Sequence, residues 1–155
     1  MAAFSFITNE GFDFLAKAVG GSVGGVNTIY IEFDNDATVV FPEEDKSAGR
    51  SYYSELSGTK DYLRVAILNT PKYSGTSDDY TSNSLSVLAV ASGSTGVNGL
   101  AFSEAAGSKV YGAALVYAED SDEDNDVVVS RHYFAAEKSK EDSEDLVVRV
   151  TLELT

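Results

Sequence analysis

Residues 55–68 read ELSGTKDYLRVAIL. A polar turn, Ser57-Gly58-Thr59-Lys60-Asp61, opens into an apolar run from Tyr62 to Leu68 that is rich in aromatic and branched side chains. A short run of that kind bounded by turn residues is the pattern of a buried or half-buried strand. Side chains alternate along an extended chain, so Leu63, Val65 and Ile67 share one face and Tyr62, Arg64, Ala66 and Leu68 the other. Asn69-Thr70-Pro71 stops the strand, because proline cannot donate to a ladder. Arg64, in mid-strand, has two readings. Its planar fork can anchor a partner's carboxylate, or it can pair inside the chain with an acid such as Glu55.

Towards the N-terminus, Asn27 to Phe33 reads as another strand, with Ile29, Ile31 and Phe33 on one face and Tyr30 and Glu32 on the other. Before it, Asn9 is the expected N-cap of a helix running to Val19. Phe12, Leu15, Ala16 and Val19 fall at i, i+3, i+4 and i+7, which predicts the buried face. Gly20-Gly21 ends the helix. Residues 34 to about 60 show no sustained period, and a loop that long inside a compact domain is usually functional or mobile. It holds Phe41, Tyr52 and Tyr53. These either pin the loop to the core or face outwards as contact residues, since tyrosine brings area at low entropy cost.

Towards the C-terminus, Ser74 to Ser82 reads as a loop, and Leu85, Val87 and Ala89 as the inward face of a strand. Gly-rich residues 92–99 read as a flexible turn before Leu100 and Phe102. Val110 to Ala118 and Val127 to Phe134 read as a hairpin whose acidic tip, Glu119 to Asp126, is solvated. The last strand alternates Leu146, Val148, Val150, Leu152 and Leu154 with Val147, Arg149, Thr151 and Glu153, the cleanest period of two in the chain. About seven strands separated by turns predict a mainly β fold. The expected architecture is an antiparallel β-sandwich with one short N-terminal helix, formed as a single domain over residues 1–155.

The chain carries 25 acidic and 11 basic residues, a formal charge of −14. A surface of that sign repels phosphate backbones and anionic bilayers, so no nucleic-acid or membrane partner is expected. With 43% hydrophobic and 11% aromatic residues, acidity does not imply disorder. Cysteine is absent, which removes disulfides, thiol nucleophiles and thiolate metal sites. No long apolar run predicts a membrane span, and the opening residues lack the pattern of a secretory signal.

No catalytic set stands out. His132 is the only histidine, sits in a strand, and accompanies no Gly-x-Ser-x-Gly elbow. Neither a P-loop nor a dinucleotide fingerprint occurs. Asp120, Asp122, Asp124 and Asp126 resemble the start of a calcium loop, but Asn125 and Arg131 stand where an EF-hand needs glycine and glutamate. The expectation is therefore no enzyme, no cofactor and no metal.

Glu55-Leu56-Ser57-Gly58 followed by Tyr62-Leu63-Arg64-Val65-Ala66-Ile67 resembles a segment of small structural proteins of tailed bacteriophages, those described as tail-fibre-like, minor tail or capsid-decoration proteins. Ile7-Thr8-Asn9-Glu10-Gly11, Phe102 to Val110 and Tyr111 to Tyr117 are similar to further segments of the same proteins. The resemblance implies a non-enzymatic virion component, localised in the particle, present there in many copies and assembled as a homo-oligomer. Its partners would be other virion proteins, the major capsid protein or tail proteins. Compact size, acidity and the lack of a fibre repeat favour a capsid decoration or cement protein over a tail-tip, fibre-base or baseplate component. A carbohydrate-binding β-sandwich module, using exposed tyrosines as a sugar platform, is the rival of another class. The expected docking surface is Phe41, Tyr52, Tyr53 and Arg64.

Overall fold

The computed structural model describes residues 2–34, 38–56, 60–68, 72–76, 79–91, 109–140 and 144–154; for 72–76, 79–84 and 154 it describes the backbone. In chain order these form β1 (Phe4–Ile7), α1 (Asn9–Val19), β2 (Thr28–Asp34), α2 (Arg50–Ser54), β3 (Lys60–Ala66), β4 (Lys72–Thr76), β5 (Asp79–Ala91), β6 (Lys109–Tyr117), a single 3-10 turn (Glu123–Asn125), β7 (Val127–Ser139) and β8 (Leu146–Leu154). The strands make two antiparallel sheets, one ordered β1-β7-β6-β2-β3 and the other β4-β5-β8. The mainly β sandwich architecture with a short N-terminal helix is the one the alternation predicts.

The stretch read first is the edge of the larger sheet. β3 pairs with β2 so that Leu63 faces Ile31 and Val65 faces Ile29. β6 continues the row on the other side of β2, with Ala113 beside Ile31 and Leu115 beside Ile29. These side chains are all almost fully buried. They pack against Val87 and Ala89 of β5 and Val148 and Val150 of β8, which are themselves register partners. One sheet's alternate residues thus meet the other's, and burying apolar area at ~25 cal/mol per Å² stabilises the pair. Just past β3, the Leu68 amide donates to the Leu88 carbonyl of the second sheet at 2.9 Å.

The helix forms over the expected residues but is capped and turned differently. Thr8, in extended backbone, is the N-cap, and its hydroxyl accepts from the Gly11 amide at 2.9 Å. The same hydroxyl donates to the Val128 carbonyl, and the Thr8 amide donates to the Val129 carbonyl at 3.1 Å. A cap fastened to β7 in this way sets the rotation of the helix. Gly11 and Phe14 are buried, with Leu15 and Ala18 partly so. Phe12 and Val19 stand 52% and 91% exposed. The decisive residue is Gly11: a Cβ there would sit 2.0 Å from the Val129 carbonyl oxygen. Only glycine lets α1 approach β7 so closely, so the buried stripe is shifted one position from the one apolar spacing suggests.

Two strands have no counterpart in the sequence reading. β1 is a four-residue edge pairing Phe4 to Tyr133 and Ile7 to Ser130. β4 pairs with the first part of β5, from Lys72 with Ser86 to Thr76 with Asp79, and so places strand where Ser74 to Ser82 reads as loop. The expected strand positions Leu100 and Phe102 lie outside the described residues, as do residues 57–59 of the opening turn.

β8 supplies the test of the sandwich. Val148 is 4% exposed, while its neighbour Arg149 faces solvent. Val148→Asp places an unpaired charge between the sheets and should cost on the order of 4 kcal/mol or more, whereas Arg149→Asp should cost well under 1 kcal/mol. Thermal melts of both variants measure this, and equal losses would contradict the assigned face.

Candidate functional site

The inner face of the larger sheet is apolar along β2 and β3, with Ser130 and His132 of β7 as polar exceptions, whereas its outer face is polar even at its buried centre. On β2, Tyr30 and Glu32 alternate with Ile29 and Ile31, and all four are almost fully inaccessible. Both faces of β2 are therefore covered. What covers the outer one is the chain's own segment 38–56, including α2, together with the tip that joins β6 to β7.

Arg131 organises this outer layer. It is 1% exposed and among the largest fully buried side chains. Its guanidinium lies 3.7 Å from the ring centroid of Tyr52, donates to the Ala48 carbonyl at 3.0 Å, and donates through Nε and a terminal nitrogen to the Tyr133 hydroxyl. Tyr133 in turn donates to Glu32 Oε1 at 3.1 Å. The cation, the phenol and the carboxyl form one chain of contacts across β7, β6 and β2. Gly112 of β6 leaves room for it, because a Cβ there would come 2.6 Å from Glu32 Oε2 and 2.7 Å from the Tyr133 ring. Burial raises the Glu32 carboxyl to about 7, against the opposing pull of Arg131. Among the described residues its Oε2 meets no hydrogen-bond partner, and neither do the buried hydroxyls of Tyr53 and Tyr111. Burial also drives the phenols of Tyr53, Tyr111 and Tyr133 well above the usual range.

Glu10 fastens the cover at its other end. One carboxylate oxygen accepts from the Arg50 amide at 2.6 Å and from the Val128 amide at 2.9 Å. The second of these amides belongs to the β-bulge where β7 shifts register against β6. A bulge leaves a backbone donor off the ladder, and Glu10 satisfies it. Gly49 is buried beneath the same carboxylate, where a Cβ would lie 2.2 Å from it.

The expected docking residues are mostly turned inward. Tyr53 is 1% exposed and meets the Tyr30 ring edge-on at 4.9 Å. Tyr52 is half-buried between Arg131 and Tyr53. Phe41 packs partly buried against Tyr111. These rings pin the segment to the sheet, so Tyr53 offers no face to a partner or a sugar. Arg64 pairs inside the chain, though with Asp126 and not Glu55. Nε reaches Asp126 Oδ2 and a terminal nitrogen reaches Oδ1, both at 2.8 Å, and that terminal nitrogen also donates to the Asp120 carbonyl.

The acidic tip is solvent-exposed at residues 119–122, 124 and 125, as expected, but it is tied to the sheet through Asp126. The Asp126 side chain is completely buried and also accepts from the Tyr30 hydroxyl. That contact, after burial, pushes the Tyr30 phenol far up. Asp122 caps the 3-10 turn by accepting from the Asp124 amide, and Asp120 accepts from the Asp122 amide and from Asn125. Tyr62 donates to Glu123 at 2.9 Å, and Arg50 Nε donates to the Glu123 carbonyl at 2.6 Å. Burial first, and then that bond to Glu123, raise the Tyr62 phenol to about 12. Among the described residues no group of three acidic or histidine side chains is arranged to hold a metal ion.

His132 belongs to the inner side of β7, at a hollow of about 390 Å³ lined by Ser5, Phe12, Glu44, Lys46 and Glu153 among others. Its Nε2 is 2.8 Å from the Ser130 hydroxyl and its Nδ1 is 2.9 Å from the Ser5 hydroxyl. Burial lowers the ring to about 4, so it is neutral at neutral pH. A nucleophilic mechanism needs a base oriented by a group that stabilises the imidazolium. Here serine occupies both ring nitrogens, and Ser130 is itself buried. The arrangement is that of a polar plug at the sandwich edge.

Compared with known proteins, the chain matches no protein-family model, no curated protein and no solved structure.

Two outcomes follow from the outer layer. Arg64→Ala leaves the buried Asp126 carboxylate without its cation, with the neutral Tyr30 hydroxyl still donating to it. Breaking a buried pair in this way costs about 3–5 kcal/mol, and the partial exposure of Arg64 reduces that to roughly 2–3 kcal/mol. Urea unfolding should register the loss, and faster amide exchange over 120–126 should accompany it. An unchanged midpoint would mean the pair contributes nothing.

The second concerns pH. Between pH 4.5 and about 7 the folded chain retains a proton on Glu32 that the unfolded chain has released. Glu32 therefore makes stability fall as pH rises through that window, by about 3 kcal/mol in all, and the loss levels off above it. Glu32→Gln removes this dependence, so the variant should gain on the parent between pH 5 and pH 8. Parallel pH profiles for parent and variant would refute the assignment.

Proposed function

We propose that this protein is a non-enzymatic structural component of a tailed-bacteriophage virion, seated on the capsid as a decoration or cement protein. The observation that carries the assembly reading is where the chemistry is spent. Arg64, Arg131, Glu32, Asp126 and Tyr53, the side chains best suited to grip a substrate or ligand, are engaged inside the fold. What stands free at the surface includes apolar side chains of α1, Phe12 and Val19. Buried ion pairs and aromatic packing make a rigid body, and exposed apolar residues on a helix suit a contact with another protein.

The virion assignment rests on the likeness of the ELSG and YLRVAI segments and of the three further patches to phage structural proteins. A sandwich with an acidic surface supports a bead on a shell, since like-charged copies stay soluble and apart until a lattice arranges them. A tail-tip, fibre-base or baseplate position would use the same body in fewer copies.

Quantitative mass spectrometry of purified particles tests this. The expected result is the chain present in a fixed ratio near that of a shell-wide component. A ratio of a few copies per particle would move it to the tail, and absence from purified particles would refute the virion reading.

A further inference from the structure

Five large apolar side chains stand exposed among the described residues, and two of them, Phe12 and Val19, lie on α1. They are seven positions apart, so they share a face of the helix, with the exposed Ala16 between them. Seven residues at 1.5 Å each put them about 10 Å apart. This stripe exists because Gly11 turned the helix by one position. Phe14 and Leu15 go to the core, and a second apolar face is left outside.

The stripe borders two hollows. Phe12 lines the one of about 390 Å³ beside His132, and Val19 lines another of about 450 Å³ floored by Leu15, Val26 and Leu85. Leu152 of β8 lines both. The two hollows therefore adjoin one side chain and follow the seam between α1 and β8, a groove interrupted at Leu152. Its wall is helical, its floor is apolar, and charge enters at the Phe12 end. There Lys46 lies 3.7 Å from Glu44, while Glu153 has no ion-pair partner among the described residues.

We infer that this groove is the docking site for a segment of another protein carrying two apolar anchors about 10 Å apart and a basic side chain that meets Glu153. Charge decides the occupant. A second copy of this chain would bring a formal −14 against −14, whereas a basic segment answers both the overall field and the exposed Glu153 carboxylate. Apolar anchors fill the hollows and supply affinity; the basic residue fixes which way the segment runs. The inference deepens the assembly reading and rests on it only for the source of the partner, since the groove can bind or fail to bind whether or not the chain is found in virions.

The probe is a synthetic amphipathic helix of leucine and lysine, with its leucine and glutamate counterpart as control, titrated into the full chain by calorimetry and followed by NMR. The leucine–lysine peptide should bind, with shifts concentrated at residues 12–19 and 151–153, and the glutamate peptide should not. The double variant Phe12→Ser, Val19→Ser replaces exposed side chains, should melt like the parent, and should bind about tenfold more weakly or worse. Glu153→Gln should weaken binding about threefold. Equal binding of both peptides, binding untouched by the double variant, or shifts scattered over the acidic surface would each overturn the proposal. So would sedimentation showing a dimer of the parent that the double variant dissolves, because the groove would then belong to a second copy.

Discussion

A guanidinium buried on the outer face of the larger sheet cannot be left unpaired, and the rest of this fold is arranged around that requirement. Removing a charge from water costs several kcal/mol unless hydrogen bonds and opposite charge replace the lost hydration. Arg131 obtains them from Tyr133, from the Ala48 carbonyl and from the Tyr52 ring, with Glu32 one hydroxyl further on. Two of these partners lie in segment 38–56. The segment is therefore the lid that makes the buried cation tolerable, and it explains why a stretch without periodicity is held in one place. Tyr53, Tyr30 and Tyr62 add a ring cluster with centroids 4.6–5.3 Å apart. Such contacts contribute about 0.5–1.5 kcal/mol each beyond their area.

The helix and the lid are joined through Glu10. Its carboxylate bridges a bulge amide of β7 and the first turn of α2, so the orientation of α1 and the closure of the cover are one event. Thr8 fixes the same helix by a cap that bonds both to Gly11 and to β7. A short helix is marginal in isolation; this one is held by its neighbours at the first turn. The freedom to leave Phe12 and Val19 outside follows from that, since their burial is not what stabilises α1.

Much of the sandwich was legible because alternation is a local property. Leu63 and Val65, Val87 and Ala89, Val148 and Val150 could be placed from period alone, and each sits in the core. The helix face was not legible. The sets Phe12-Leu15-Ala16-Val19 and Gly11-Phe14-Leu15-Ala18 have the same spacing, and only the close approach of Gly11 to a carbonyl decides between them. Of the four aspartates at 120, 122, 124 and 126, nothing local marks Asp126 as the buried one; its distinction is that Arg64 and Tyr30 lie opposite, 62 and 96 positions away. The same holds for Tyr52 and Tyr53, whose pairing in sequence says nothing of the cation beneath them. β1 is too short to carry a period, and the β4–β5 hairpin pairs through backbone in a polar stretch.

The two unlike faces of β2 have a consequence for how the sheet assembles. Ile29 and Ile31 belong to an apolar layer, Tyr30 and Glu32 to a hydrogen-bonded one, and both layers exclude water. A slip of one residue against β6 or β3 would exchange them. Isoleucine would then displace the partners of Arg131, while a carboxyl entered the space between the sheets. Most half-exposed strands pay for misalignment on one side only, because a wrong residue on the wet face is harmless. Here the error is costly twice, so β2 acts as its own proofreader, and mispaired intermediates have no comfortable place to rest.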